Sequence, residues 1–243
     1  MKIPLIITSS LWHVGDLNNN IQGARPSLEG TLLSASACPN AWVGIARLGG
    51  GKYYELGHES MLLDMVKALY DVEYTGLREK IHQWASEEGL VKPGTMYVVA
   101  YEDDEDGRIR EMHFHSEDEA REEAEPYDAE VVVRSAVLPT EKLMTIHNIT
   151  KNCVCSSTGM EFSMVEWARV HLYSRRVTGV YWNETLDEAA LSAPRAGLFS
   201  ANGFSERQDL PDDEDCLSSV NTLHMEIYPR PAVRRVYDRS PSI

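Results

Sequence analysis

The residues best equipped for chemistry are one early histidine, two alternating serines, one late arginine and two acids set among aromatic or apolar neighbours. His13 stands in Leu11-Trp12-His13-Val14-Gly15, an apolar strand that Gly15 and Asp16 bring to an end. At a strand end beside a turn, an imidazole can face a cleft while Trp12 faces the other side. Ser34 and Ser36 alternate in the strand Thr31–Ser36, so both hydroxyls share a face of a strand that feeds directly into a helix. Arg195 precedes an apolar strand by a turn, and its planar guanidinium can clamp a phosphate through two parallel bonds. Glu226, in Leu223-His224-Met225-Glu226-Ile227-Tyr228, has apolar flanks, and a carboxylate buried there needs a partner or a cleft. Glu184, directly after Tyr181-Trp182-Asn183, is the alternative acid. Two half-sets of metal ligands also occur, His113-Phe114-His115 and Cys153-Val154-Cys155 with His147 nearby. Neither is joined by the remaining ligands of an ordinary zinc site, so no metal is expected.

The elements that must position these groups follow from periodicity and turn chemistry. Residues 3–7, 11–14 and 31–36 read as strands, separated by the loop chemistry of Asn18–Ser27. Cys38-Pro39 opens a short helix carrying Trp42, Ile45 and Ala46 on one face and ended by Gly49–Gly51. Residues 53–56 are extended. Helices are expected over 59–72, with Met61, Met65 and Leu69 in one stripe, and over 75–89, with Leu77, Ile81, Trp84 and Ala85 buried and Gly89 as the terminator. Lys92–Thr95 marks a boundary. Beyond it a hairpin turning at Asp106-Gly107, a helix with capping-box spacing at Ser116 and Glu119, and a strand over 129–139 make a ββαβ unit. Residues 170–173 and 177–182 read as extended, 184–199 as a short helix followed by a strand, 205–219 as a polar, acidic loop, and 222–229 as a last strand before a basic tail. The expected fold class is α+β, with mixed or antiparallel sheets, flanking helices and an inserted ββαβ module. Residues 1–92 would form the N-terminal part of the core domain, 93–146 the acidic module, and 147–243 the C-terminal part of the core.

The strand Leu11-Trp12-His13, followed by Glu29–Trp42 with its Ser-Ala-Ser run and Trp42 helix, resembles the ADP-ribosyltransferase-like fold over residues 11–56. In that family a first-strand histidine contacts the ribose next to the nicotinamide of NAD, and a Ser/Thr strand shapes the same pocket. An aromatic stacks on the nicotinamide ring, and a late glutamate stabilises an oxocarbenium-like transition state. The resemblance implies that His13 is the ribose contact, that Ser34 and Ser36 line the pocket, and that Tyr53 or Tyr54 is the stacking aromatic. Arg195 would join them in holding NAD, and Glu226 or Glu184 would be the catalytic acid. The implied activity is transfer of ADP-ribose, or cleavage of the nicotinamide bond, in a cleft between two small sheets. The chain departs from the family pattern at Val14, which separates His13 from Gly15, at Ala35, and in having no Gln/Glu-x-Glu signature in a late strand.

Charge adds a second possibility. The formal net charge is −15, and residues 102–130 hold fourteen acids and three arginines, a net of −11 in one block. Such a field repels phosphates, so that surface is not expected to bind nucleic acid directly. It suits a protein partner instead, and the alternative function is a non-enzymatic acidic binding or inhibitor protein, a nucleic-acid mimic. Either role is compatible with a toxin, phage or mobile-element effector. No apolar run reaches the roughly 18 residues of a membrane span, and the N-terminus lacks a secretory apolar region, so a cytoplasmic protein is expected. The four cysteines, Cys38, Cys153, Cys155 and Cys216, show no framework spacing and read as free thiols. No G-x-S-x-G, P-loop or G-x-G-x-x-G motif is present.

Overall fold

The computed structural model of the chain describes residues 2–15, 17, 32–40, 43, 51–102, 107, 109–149, 158–186 and 191–211, with the backbone alone described at 183–186 and 191–194. The strands, in chain order, are β1 (Leu5–Thr8), β2 (Leu11–Val14), β3 (Leu33–Ser36), β4 (Tyr53–Leu56), β5 (Ser60–Asp64), β6 (Val91–Glu102), β7 (Ile109–Phe114), β8 (Val131–Pro139), β9 (Val177–Leu186), β10 (Leu191–Leu198) and β11 (Ser205–Arg207). The α-helices whose bounds fall among the described residues are α1 (Met65–Tyr70), α2 (Thr75–Glu87), α3 (Glu117–Ala124), α4 (Glu141–His147) and α5 (Thr158–His171). Eight strands form one mixed sheet in the order β1-β5-β9-β10-β3-β2-β4-β11, and three form a second sheet in the order β7-β6-β8. Within the large sheet only β5 and β9 run parallel among the described pairs. The fold is α+β.

Local chemistry accounts for the helices that hold the large sheet. Leu77, Ile81 and Ala85 recur every four residues along α2 and are buried. Gly89 ends that segment at φ +66°, a backbone conformation that favours glycine. Ser116 caps α3 by accepting from the Glu119 N–H, as its spacing predicts. Helices α1, α2 and α5 pack on one face of the large sheet, where Met65, Ala68, Leu77, Ile81, Met164, Val165 and Ala168 meet Leu63, Val180 and Trp182. On the opposite face Leu11, Leu33, Ala35, Leu56, Leu62, Tyr181, Ala196 and Leu198 form a second cluster. All four residues of β2 and of β3 are buried, so the centre of the sheet is covered on both sides.

Several expectations are corrected. Residues 60–64, read as the start of a helix, are strand β5, and α1 begins only at Met65. A continuous apolar run does not declare its period, but Asp64 does mark the helix start: its carboxylate accepts from the Lys67 N–H at 3.0 Å. Residues 170–171, read as extended, are the last turn of α5, and Tyr173–Arg175 is a short 3-10 turn. Helix α5 itself, and α4 before it, escaped the reading. From Thr158 to Ala168, α5 buries every residue except Met160, so it shows no polar face and little periodicity. Residues 184–186, read as helical, continue strand β9, and Ser205–Arg207, read as loop, pairs with β4. Of the short helix expected after Cys38, Pro39, Asn40 and Val43 are helical. The expected strand 222–229, the basic tail and Glu226 lie outside the described residues. No described helix is long and apolar enough to cross a membrane.

Candidate functional site

The four adjacent strands β10-β3-β2-β4 carry six of the eight residues singled out from sequence. Register then sorts them by face. Arg195 opposes Ser36 and Trp182, Ser36 opposes Trp12, and Trp12 opposes Glu55, so these side chains share the helix-covered face. Ser34, two residues from Ser36, and Tyr53, two from Glu55, belong to the same face. His13 opposes Tyr54, and this pair lies on the other face beside Leu11 and Leu56. The pleat therefore separates the His13 ring from the Ser34 and Ser36 hydroxyls.

The two faces nevertheless communicate through β3. Between β2 and β3 the described ladder is a single register pair, Trp12 with Ser36, whereas β2 and β4 share four pairs. Beside this pair, His13 Nδ1 donates to the Ser34 carbonyl at 2.6 Å. A carbonyl can only accept, so Nδ1 carries the proton in this bond. The ring is buried at 1% exposure. It lies 6.3 Å from the Tyr54 ring, tilted by 31°, and 6.4 Å from the Phe204 ring, edge to face. On the reverse side of β3, Arg195 donates through Nη2 to the Ser34 hydroxyl, and its guanidinium lies 5.8 Å from the centroid of the Trp182 ring. Ser36 Oγ accepts from the Cys38 N–H at 3.0 Å, joining the strand to the helical residues after it. Burial lowers the Arg195 pKa to about 9, which still leaves the group charged at neutral pH.

The structure chooses Tyr54 over Tyr53 as the companion of His13, because only Tyr54 shares its face. It adds two residues that the sequence reading passed over. Phe204 reaches His13 from the segment between β10 and β11, a contact no local pattern reveals. Glu55 lies in the Ser36–Trp12 row, and its carboxylate accepts from Ser10 Oγ at 3.1 Å and Arg207 Nε at 2.9 Å. Its place directly after the tyrosine pair was the available signal. Glu184 sits on β9 opposite Ala193, three strands from β2, or roughly 14 Å by strand spacing.

A second titratable group of residues lies apart from this region. His147, at the end of α4, places Nε2 3.0 Å from Glu166 Oε1, and Arg169 Nη2 donates to Glu166 Oε2 at 2.7 Å. His147 and Arg169 thus approach the two oxygens of one buried carboxylate. Burial pushes the Glu166 carboxyl up, yet His147 and Arg169 together hold it below the ordinary glutamate range. His113 pairs with Glu111 at 3.3 Å, while Cys153 and Cys155 lie outside the described residues.

Comparison with known proteins finds no matching family model, no similar curated protein and no similar solved structure.

Proposed function

We propose that the chain binds NAD beside strands β2 and β3 and acts as an ADP-ribosyltransferase-like enzyme, transferring ADP-ribose or cleaving the nicotinamide bond. The observation that supports this reading is that His13, Ser34, Ser36, Tyr54 and Arg195, far apart in sequence, lie on four adjacent strands, with His13 bonded to the Ser34 backbone and Arg195 to the Ser34 hydroxyl. The Ser34 carbonyl fixes the His13 ring, and in this reading that ring is the group that meets the ribose. Tyr54 and Phe204 offer faces to the nicotinamide ring, and the charged Arg195 beside two serine hydroxyls suits the pyrophosphate. His13 and Arg195 lie on opposite faces of the sheet and both are buried, so binding that uses either requires the cover over it to move. Glu226 or Glu184 would stabilise the positive charge developing at the anomeric carbon.

The test is a calorimetric titration with NAD together with an assay for released nicotinamide. Binding heat and turnover that fall in His13→Ala, and in Tyr54→Ala at a half-buried position, support the reading. An absence of both heat and turnover in the unaltered chain refutes it.

The exposure of every acid on α3 favours a second reading, a non-enzymatic binding or inhibitor protein that offers its module to a basic protein partner. Salt-sensitive capture of such a partner, lost when Glu117, Asp118, Glu122 and Glu123 are neutralised, supports it. Capture unchanged by those substitutions removes it.

A further inference from the structure

We infer that β8 is an open edge onto which an extended basic peptide adds as a further strand. The inference deepens the second reading above and is independent of NAD. In the second sheet β6 lies on one side of β8, and among the described residues no strand pairs with the other side; α5 lies against the backbone of Val137 and Leu138, so the open stretch is the first half of the strand. Val132 is 40% and Val133 62% exposed, and Arg134 and Ser135 are exposed as well, so consecutive residues on both pleat faces stand open. The strand keeps an unbroken register with β6 from Val131 to Pro139. Sheet edges are ordinarily guarded by a charge, a proline or a bulge, because an unpaired row of N–H and C=O groups templates another strand. Here the sole proline is the last residue, and the single charge, Arg134, is drawn across the sheet to Glu111 by bonds of 3.0 and 2.8 Å. The guard is thereby turned away from the edge.

Charge selects the occupant. Asp128 and Glu130, both exposed, lead into β8, and Glu122 and Glu123 are exposed on the helix packed over the same sheet. A second copy of the chain would bring two blocks of net −11 together, and nucleic acid is repelled by the same field. An extended segment alternating lysine or arginine with β-branched residues satisfies both features. Main-chain bonds to β8 supply the pairing, and the surrounding carboxylates supply the sign.

The experiment titrates the full chain with a seven-residue peptide alternating lysine and valine, and maps hydrogen exchange with and without it. The expected result is slowed exchange at residues 131–135, with roughly tenfold weaker binding when salt screens the contact. A peptide with proline at every second position, which lacks half the donors, should bind at least tenfold more weakly. Val133→Lys should weaken the parent peptide similarly without lowering Tm, because this side chain is mostly exposed. Protection confined to α3 overturns the edge while leaving the acidic-partner reading standing. The edge is also overturned by equal binding of the proline peptide, by protection in the free chain of those amides of 131–135 that point away from β6, or by a dimer that protects them. Failure of the parent peptide to bind at low salt overturns the inference, and acid-neutralising substitutions with a basic protein partner then judge the reading separately.

Discussion

Replacing Glu166 by glutamine keeps the shape of a buried side chain and removes its charge. The carboxylate is only 6% exposed, the His147 side chain is fully buried, and the Arg169 side chain is 42% exposed. The two partners therefore differ in worth. Arg169 retains solvent, so its share stays within the 0–1 kcal/mol of a surface pair. His147 has no such refuge, and taking the charge from a buried carboxylate that both partners face costs about 1–3 kcal/mol. Glu166→Gln should therefore lose about 1–3 kcal/mol at pH 7, a fall in Tm of roughly 2–12 °C for a chain of this size. The sign of the pH dependence follows from the direction of the shift. The Glu166 carboxyl lies below its ordinary value of 4.5, so its contribution is complete above that pH and disappears as pH falls through the lower folded-state value. Urea unfolding of both proteins from pH 7 down to pH 3 should show curves that are well separated at neutrality and converge in acid. A loss below about 0.5 kcal/mol at pH 7, the size of an ordinary surface change, would refute the pairing argument. So would a gap that stays constant into acid.

Other perturbations test the packing and the proposed site. A Cβ at Gly179 would meet the Gly197 carbonyl oxygen at 2.3 Å, and backbone cannot step aside cheaply. Gly179→Ala should therefore destabilise by at least about 2 kcal/mol in denaturant titrations. Gly76, in the first turn of α2, has nothing within 4 Å of the same position, so Gly76→Ala should stabilise by roughly 0.5–1 kcal/mol. Arg195→Gln should weaken NAD about tenfold or more in calorimetry, the worth of a lost charge-assisted bond, while leaving nicotinamide riboside unaffected. Equal losses for both ligands would show that the arginine supports the strand rather than the phosphate.

Much of the architecture was legible wherever one face of an element is wet. Helix α2 declared itself through Leu77, Ile81 and Ala85, and α3 through Ser116 and its early acids. Helix α5 was missed for the opposite reason: Phe162–Ala168 are all buried, so no polar stripe sets the period. Strand β5 was merged into the following helix because Leu62 and Leu63 face opposite clusters, which makes a two-faced strand look like an apolar helix. At the site, sequence gave residue types but not faces. Ser34 and Ser36 share a face as a strand period requires, whereas which of Tyr53 and Tyr54 opposes His13 follows only from the register of β2 with β4. Phe204 and the Glu166 partnership with His147 depend on contacts between distant segments, which local pattern does not encode.

Burial explains what an imidazole in an apolar strand must do. Strand β2 is buried along its whole length, and a buried polar ring needs a partner. The Ser34 carbonyl on the neighbouring strand supplies one, at 2.6 Å from His13 Nδ1. A leucine at this position would suit the surrounding Leu11 and Leu56 but would give up that bond between β2 and β3. The same bond holds the ring beside Tyr54 and Phe204. In the proposed reading, stability and the orientation of the ring therefore rest on one contact, and a substitution that removes it should cost both.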